Sequence, residues 1–197
     1  MGSSASTPSP PRSAEVPLLI VFADEDDPRR CSGRRLVRSE MARAIPDGRS
    51  PPHGAVLLDP HSAVPLSRAD RDRALQGGVV AVDCSWNRIG ATGQYPPQLR
   101  GLDRLRLRRR LPWLVAANPQ HHGRLGELNT AEALAASLVL LGERGRAGRL
   151  LGPFPGGPTF FDLNAAAFAA YARAPDAHAI IALETAPPRA SPSDRAP

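Results

Sequence analysis

The chain has 197 residues, enough for one sizeable domain or two small ones that share an interface. No apolar run approaches the ~18 residues of a membrane span, the opening residues lack a secretory signal, and the distant Cys31 and Cys84 supply no disulfide framework. These features point to a protein of a reducing cytoplasm, without a membrane partner. All 25 basic residues are arginine and the net charge is +6, which suits a polyanionic partner, because the planar guanidinium pairs with phosphate and stacks on bases.

In chain order, residues 1–16 (MGSSASTPSPPRSAEV) are rich in Ser, Pro and Ala and read as a disordered leader. Gly2 and Ser6 also fit an N-myristoylation pattern, against the plainer reading of a small polar leader. PLLIVF predicts a buried strand over 17–22, followed by the acidic turn ADEDDP. CSGRRLVRSEMARAI (31–45) reads as a helix with Leu36, Met41 and Ile45 as apolar positions. AVLLDP (55–60) is a second strand, SRADRDRAL a short polar helix capped by Ser67, and GGVVAV a third strand. WLVAANP (113–119) predicts a fourth strand stopped by proline.

After Asn129 the apolar spacing changes to three and four. NTAEALAASLVLLG predicts a helix with Asn129 or Thr130 as its cap and Gly142 as its stop, and RAGRLLGPF and FFDLNAAAFAAYARA continue in helical style. Alternating strands and helices followed by a helical part predict an α/β fold with a mostly parallel sheet flanked by helices. We divide it into an N-terminal α/β part over 17–110 and a helix-rich part over 111–185, with a disordered tail over 186–197.

Several segments carry chemistry, each with a plainer reading beside it. DDPRRCSGRRL (26–36) sets a serine and a glycine at a helix mouth, where free N–H groups favour an anion; it also fits an ordinary capped helix. DEDD (24–27) reads as a solvated acidic turn rather than a cation site, and Cys31, Cys84, His121 and His122 lack zinc-ligand spacing. VDCSW (82–86) ends a strand with Asp83 and Trp86, either a base and a pocket wall or a cap and a core indole. RLRLRRRLPW (104–113) alternates Arg with Leu and would present a basic face on a strand or extended loop, toward phosphate or as a charged sheet edge.

Together the blocks resemble one family, the small-subunit ribosomal RNA aminocarboxypropyltransferases. DPRRCSGRRL is similar to D-P-K/R-x-C-T/S-G-x-K/R-L, VDCSW to D-C-S-W, and RLPWLVAANPQHHGRLGELNTAEALAASLVLLG to R-x-L-P-x-L-V-A-A-N-P-x-x-Y-G-x-P-x-x-L-S/T-x-x-E-A-x-A-A. GPFPGGPTFFDLN with AYARA resembles the ending F-x-W-G-x-x-F…N…Y, and the match covers residues 17 to 175 in order. Departures are His122 for the tyrosine, Leu125 for the following proline and Gly156 for the tryptophan.

The resemblance implies a fold like that of the knotted SPOUT methyltransferases, with a trefoil knot in the C-terminal part. It implies S-adenosylmethionine as cofactor, with transfer of its 3-amino-3-carboxypropyl group to N3 of an N1-methylated pseudouridine in the decoding region of small-subunit rRNA. Ser32 and the amide of Thr130 would hold the cofactor carboxylate. Leu58, Pro60, Trp86, Leu111, Leu128 and Ala133 would enclose the adenine. Backbone groups of Val82, Leu111 and Gly126 would bond ribose and base, and Trp86 with Ile89 would shield the methyl group. Asp83 would be the general base or would orient the amine, while Arg108, Arg109 and Arg110 would contact rRNA phosphates. The protein would work as a monomer on rRNA or a pre-ribosomal particle. An RNA methyltransferase and a non-catalytic assembly factor are the alternative functions on the same scaffold.

Overall fold

The computed structural model describes residues 14–23, 31–46, 50–84, 102 and 105–184. Most of the expected leader, the acidic turn after position 23 and the tail lie outside the described residues. The fold nevertheless begins before residue 17. Val16 is fully buried, its N–H donates to Glu143 Oε1 at 3.1 Å, and its carbonyl accepts from Arg146 Nη1 at 2.6 Å.

Five parallel strands form one sheet in the order β2-β1-β4-β3-β5: β1 (Leu18–Phe22), β2 (Arg43–Ala44), β3 (Val56–Leu58), β4 (Val79–Asp83) and β5 (Arg108–Arg109). Strict alternation sorts their side chains. Leu18, Ile20, Val56, Leu58, Val79 and Ala81 enter the larger core, while Leu19, Leu57 and Val80 enter a smaller one closed by Leu102 and Leu105. Strands β1, β3 and β4 are therefore buried on both faces, which explains their unbroken apolar runs.

Among the described residues the helices are α1 (Ser32–Arg38), α2 (Arg71–Gly77, after a 3-10 turn over Arg68–Asp70), α3 (Thr130–Leu140), α4 (Arg144–Leu151), α5 (Gly157–Leu163), α6 (Ala165–Tyr171) and α7 (Ala177–Glu184). Helix α3 is buried almost all round, so apolar residues occupy nearly every face. The larger core runs from Val16 to Ile180 and crosses the boundary placed at 110/111 without a break. Among the described residues no helix is long and apolar enough to cross a membrane.

Two expectations require correction. The helix over 31–45 stops at Arg38, because the Ser39 hydroxyl bonds Leu36 O at 3.1 Å and Glu40 turns left-handed with φ 58°. Residues 43–44 then pair with β1. WLVAANP is extended but is not a strand, since only Val115 forms a bridge, to Leu125. Its polar backbone groups divide between side chains and one turn: Trp113 N goes to Glu184, Val115 N and O to the Asn164 amide and Ala117 N to Glu132, while Leu114 O, Ala116 N and Ala116 O pair with the backbone of 123–126. A segment so occupied needs no sheet neighbour.

Gly156 fits this packing for a reason of the same kind. Its φ is +78°, and a Cβ built there would lie 2.2 Å from Ala117 O, so no side chain is accommodated with this backbone. Replacing Gly156 with Ala should lower stability by about 2 kcal/mol or more, measured by urea unfolding. An unchanged midpoint would contradict the packing described.

Candidate functional site

Strands β1 and β4 end side by side, joined by the bond from Ala23 N to Asp83 O at 3.0 Å. Helices α1 and α3 both begin at this sheet end. Between them stands the Asp83 carboxylate: Oδ1 accepts from Thr130 Oγ1 at 2.5 Å and Oδ2 from Cys31 Sγ at 2.6 Å. Gly33 makes room for it, since a Cβ there would sit 3.2 Å from the Asp83 carboxyl carbon. The two helix starts also touch directly, Ala131 N donating to Ser32 Oγ at 3.4 Å.

Cys31 is the residue that sequence reasoning missed. It caps α1 by accepting from Arg34 N at 3.2 Å while donating to Asp83. Burial first, and then the hydrogen bond to Asp83, push its thiol from 9.0 up to about 12. It is thus a fixed proton donor and a poor nucleophile. Its position just ahead of the helix, three residues before Arg34, was the available signal.

The first backbone N–H groups of α1 and α3, on Ser32 and Thr130, have no partner among the described residues. Two helix starts with open N–H groups thus face a braced carboxylate. Of the residues expected around the adenine, Leu58 and Leu128 are buried in the larger core, and the half-buried Leu111 and Ala133 pack against it. Pro60, two residues after Leu58, is exposed. Val82 packs toward the smaller core, so only its backbone is left for this side of the sheet. Gly126 spends its N–H on Leu114 O at 2.8 Å. Trp86 and Ile89 lie outside the described residues.

Arg108, Arg109 and Arg110 have inward partners, which changes their reading. Arg108 Nη1 reaches Asp59 Oδ2 at 2.8 Å, Arg109 Nε reaches Asp70 Oδ1 at 3.0 Å, and Arg110 grips both oxygens of Glu184 at 2.8 and 2.6 Å. These carboxylates are buried, so the arginines pin the sheet edge and α7 instead of standing as a free basic face. Of the four cysteines and histidines weighed for zinc, Cys31 bonds Asp83 and His121 pairs with Glu127. Among the described residues no three His, Cys, Asp or Glu side chains gather as metal ligands.

Two helix N-termini meeting at the carboxyl ends of parallel strands place the chain among α/β proteins of the kind that offer an anionic ligand group backbone donors at this sheet end. Known proteins sharpen this. Residues 56–186 match the family described as "Ribosome biogenesis protein, C-terminal". Residues 16–50 match a "Possible Fer4-like domain in RNase L inhibitor, RLI". That segment holds one cysteine, Cys31, too few for an iron–sulfur cluster. The 16S rRNA aminocarboxypropyltransferase of Methanopyrus kandleri is 41% identical over 80% of this chain and 89% of its own, and that of Halobacterium salinarum 38% over 86% and 94%. The solved SAM-dependent rRNA:acp-transferase Tsr3 from Vulcanisaeta distributa superposes with a TM-score of 0.73 at 33% identity, covering 86% of this chain and 89% of that one. The chain belongs to this family of rRNA aminocarboxypropyltransferases.

A thiol whose folded-state pKa is raised contributes its stability fully below pH 9 and loses it as pH climbs toward 12. Tyr171, raised from 10.0 to about 12 chiefly by burial, adds the same trend only above pH 10. The stability gap between wild type and Cys31→Ser should therefore narrow from pH 9 to pH 10 in urea unfolding. A gap constant over that interval would contradict the assignment.

Proposed function

We propose that this chain transfers the 3-amino-3-carboxypropyl group of S-adenosylmethionine to N3 of an N1-methylated pseudouridine in small-subunit rRNA. The observation that carries the proposal is the pairing of open N–H groups on Ser32 and Thr130 with the braced carboxylate of Asp83. An amino-acid tail presents a carboxylate and an ammonium, and this arrangement offers a partner for each. The names of the family relatives support the same reading.

When bound, the cofactor supplies a sulfonium with three electrophilic carbons, of which alignment selects one. Ser32 and Thr130 would hold the carboxylate, and Leu58, Pro60, Leu111, Leu128 and Ala133 would enclose the adenine. Backbone groups of Val82, Leu111 and Gly126 would bond ribose and base, and Trp86 with Ile89 would cover the methyl carbon. Asp83 would take the N3 proton or fix the ammonium. Both of its oxygens are already engaged by Thr130 and Cys31, which fixes the carboxylate in place and favours the orienting role.

We extend the proposal to a SPOUT-like C-terminal trefoil knot, supported by the parallel sheet and the likeness to Tsr3. It includes a monomer acting in the cytoplasm on rRNA or a pre-ribosomal particle. Arg108, Arg109 and Arg110 would shape the RNA-facing edge by holding it rigid, with any phosphate contact coming from the outer guanidinium edges.

Two measurements test this. With cofactor labelled separately in the methyl and the carboxypropyl carbons, only the carboxypropyl label should enter rRNA. Methyl label alone would make the protein a methyltransferase, and no label an assembly factor. Asp83→Asn should weaken cofactor binding roughly tenfold or more, with a smaller effect on transfer at saturating cofactor. Unchanged affinity with abolished transfer would make Asp83 the base.

A further inference from the structure

We propose that Trp113 is a stacking platform for a nucleobase of the rRNA segment that carries the target; the idea rests on the function proposed above. Trp113 is 44% exposed although it sits in a segment otherwise committed to the core, with Leu114 and Ala116 buried beside it. The bridge between Val115 and Leu125 explains how the residues divide. Alternation sends Leu114 and Ala116 inward and leaves Trp113, Val115 and Leu125 on the outer face, where Leu125 is 42% exposed.

The residue is firmly mounted through its backbone. The Trp113 amide N–H donates to Glu184 Oε1 at 3.0 Å, its carbonyl accepts from the Tyr171 hydroxyl at 3.3 Å, and Glu184 is in turn gripped by Arg110. The six-membered ring rests on Gly126, where a Cβ would come within 3.2 Å of Trp113 Cζ3 and where φ is +80°. An aromatic surface fixed by its backbone loses little freedom on binding, which is what a stacking surface requires. Disorder would be the ordinary fate of an exposed apolar side chain without such a mount.

Charge and position indicate the occupant. The Arg110 guanidinium carbon lies 6.0 Å from the Trp113 ring centroid. Arg124, on the facing turn, has a side chain 63% exposed while touching Glu127 at 3.1 Å. The chain as a whole carries +6. An exposed aromatic face with the outward Arg124 on the facing turn of a basic protein matches single-stranded RNA, whose unstacked bases lie on aromatic rings while arginines meet the backbone. Trp113 is two residues from Leu111 and rests on Gly126, both on the proposed cofactor wall, so a base stacked there would border the reacting nucleotide.

The test measures the affinity of the full chain for a synthetic RNA loop copied from the host's small-subunit decoding region, together with cofactor affinity. Trp113→Ala should bind that RNA roughly 5- to 100-fold more weakly, Trp113→Phe should recover most of the loss, and cofactor affinity should stay unchanged in both. RNA affinity unchanged in Trp113→Ala would overturn the platform and leave the ring to a protein contact. Loss of cofactor affinity in both variants would also overturn it, by making the indole part of the cofactor wall. Wild-type protein that neither binds this RNA nor transfers the group would overturn the proposed function itself, and the platform with it.

Discussion

Everything at the candidate site depends on one carboxylate. Asp83 ends the central strand β4, and its two oxygens accept from Thr130 at the start of α3 and from Cys31 ahead of α1. Three elements distant in sequence are thereby held at one point, and the open N–H groups of Ser32 and Thr130 are held at a fixed spacing. A buried thiol donor suits this task because it remains protonated at any pH the cell meets. Helix starts that could drift apart would lose the geometry an amino-acid tail needs, so the brace comes before any chemistry.

A second constraint is the way the chain uses its arginines. With 25 of them, a uniformly basic surface would be the simple expectation. Several are instead turned toward buried or largely buried acids: Arg108 to Asp59, Arg109 to Asp70, Arg110 to Glu184 and Arg146 to Glu143. Losing one member of such a pair strands the other charge in a poor solvent, so these contacts fix the edge strand and the last helix in place. The rigidity reaches function through the stretch from Arg110 to Trp113, which shares Glu184 as its anchor.

The parts legible in the sequence were those whose cause is local. Strands β1, β3 and β4 announce themselves because both faces are buried, and α3 because Asn129 caps it and Glu132 completes the box, with bonds at 2.9 and 3.0 Å. Ser32, Asp83 and Thr130 were identifiable from their motifs, and the fold does bring them together. The two-residue strands β2 and β5 were hidden, being polar and defined only by a neighbour. WLVAANP has the composition of a strand, yet half of its backbone partners are the side chains of Glu132, Asn164 and Glu184, the last two far along the chain. The same distance concealed the acids that claim the three arginines: sequence shows a charge but not the direction in which it faces.

The central claim is that the ligand held at this brace gives up its carbon chain to ribosomal RNA. It is tested most directly by mass spectrometry of the host's small-subunit rRNA with the gene present, deleted and restored. The account predicts one nucleotide of the decoding region that carries the aminocarboxypropyl mass with the gene, loses it on deletion and regains it on restoration. An rRNA mass map identical in all three strains would contradict it.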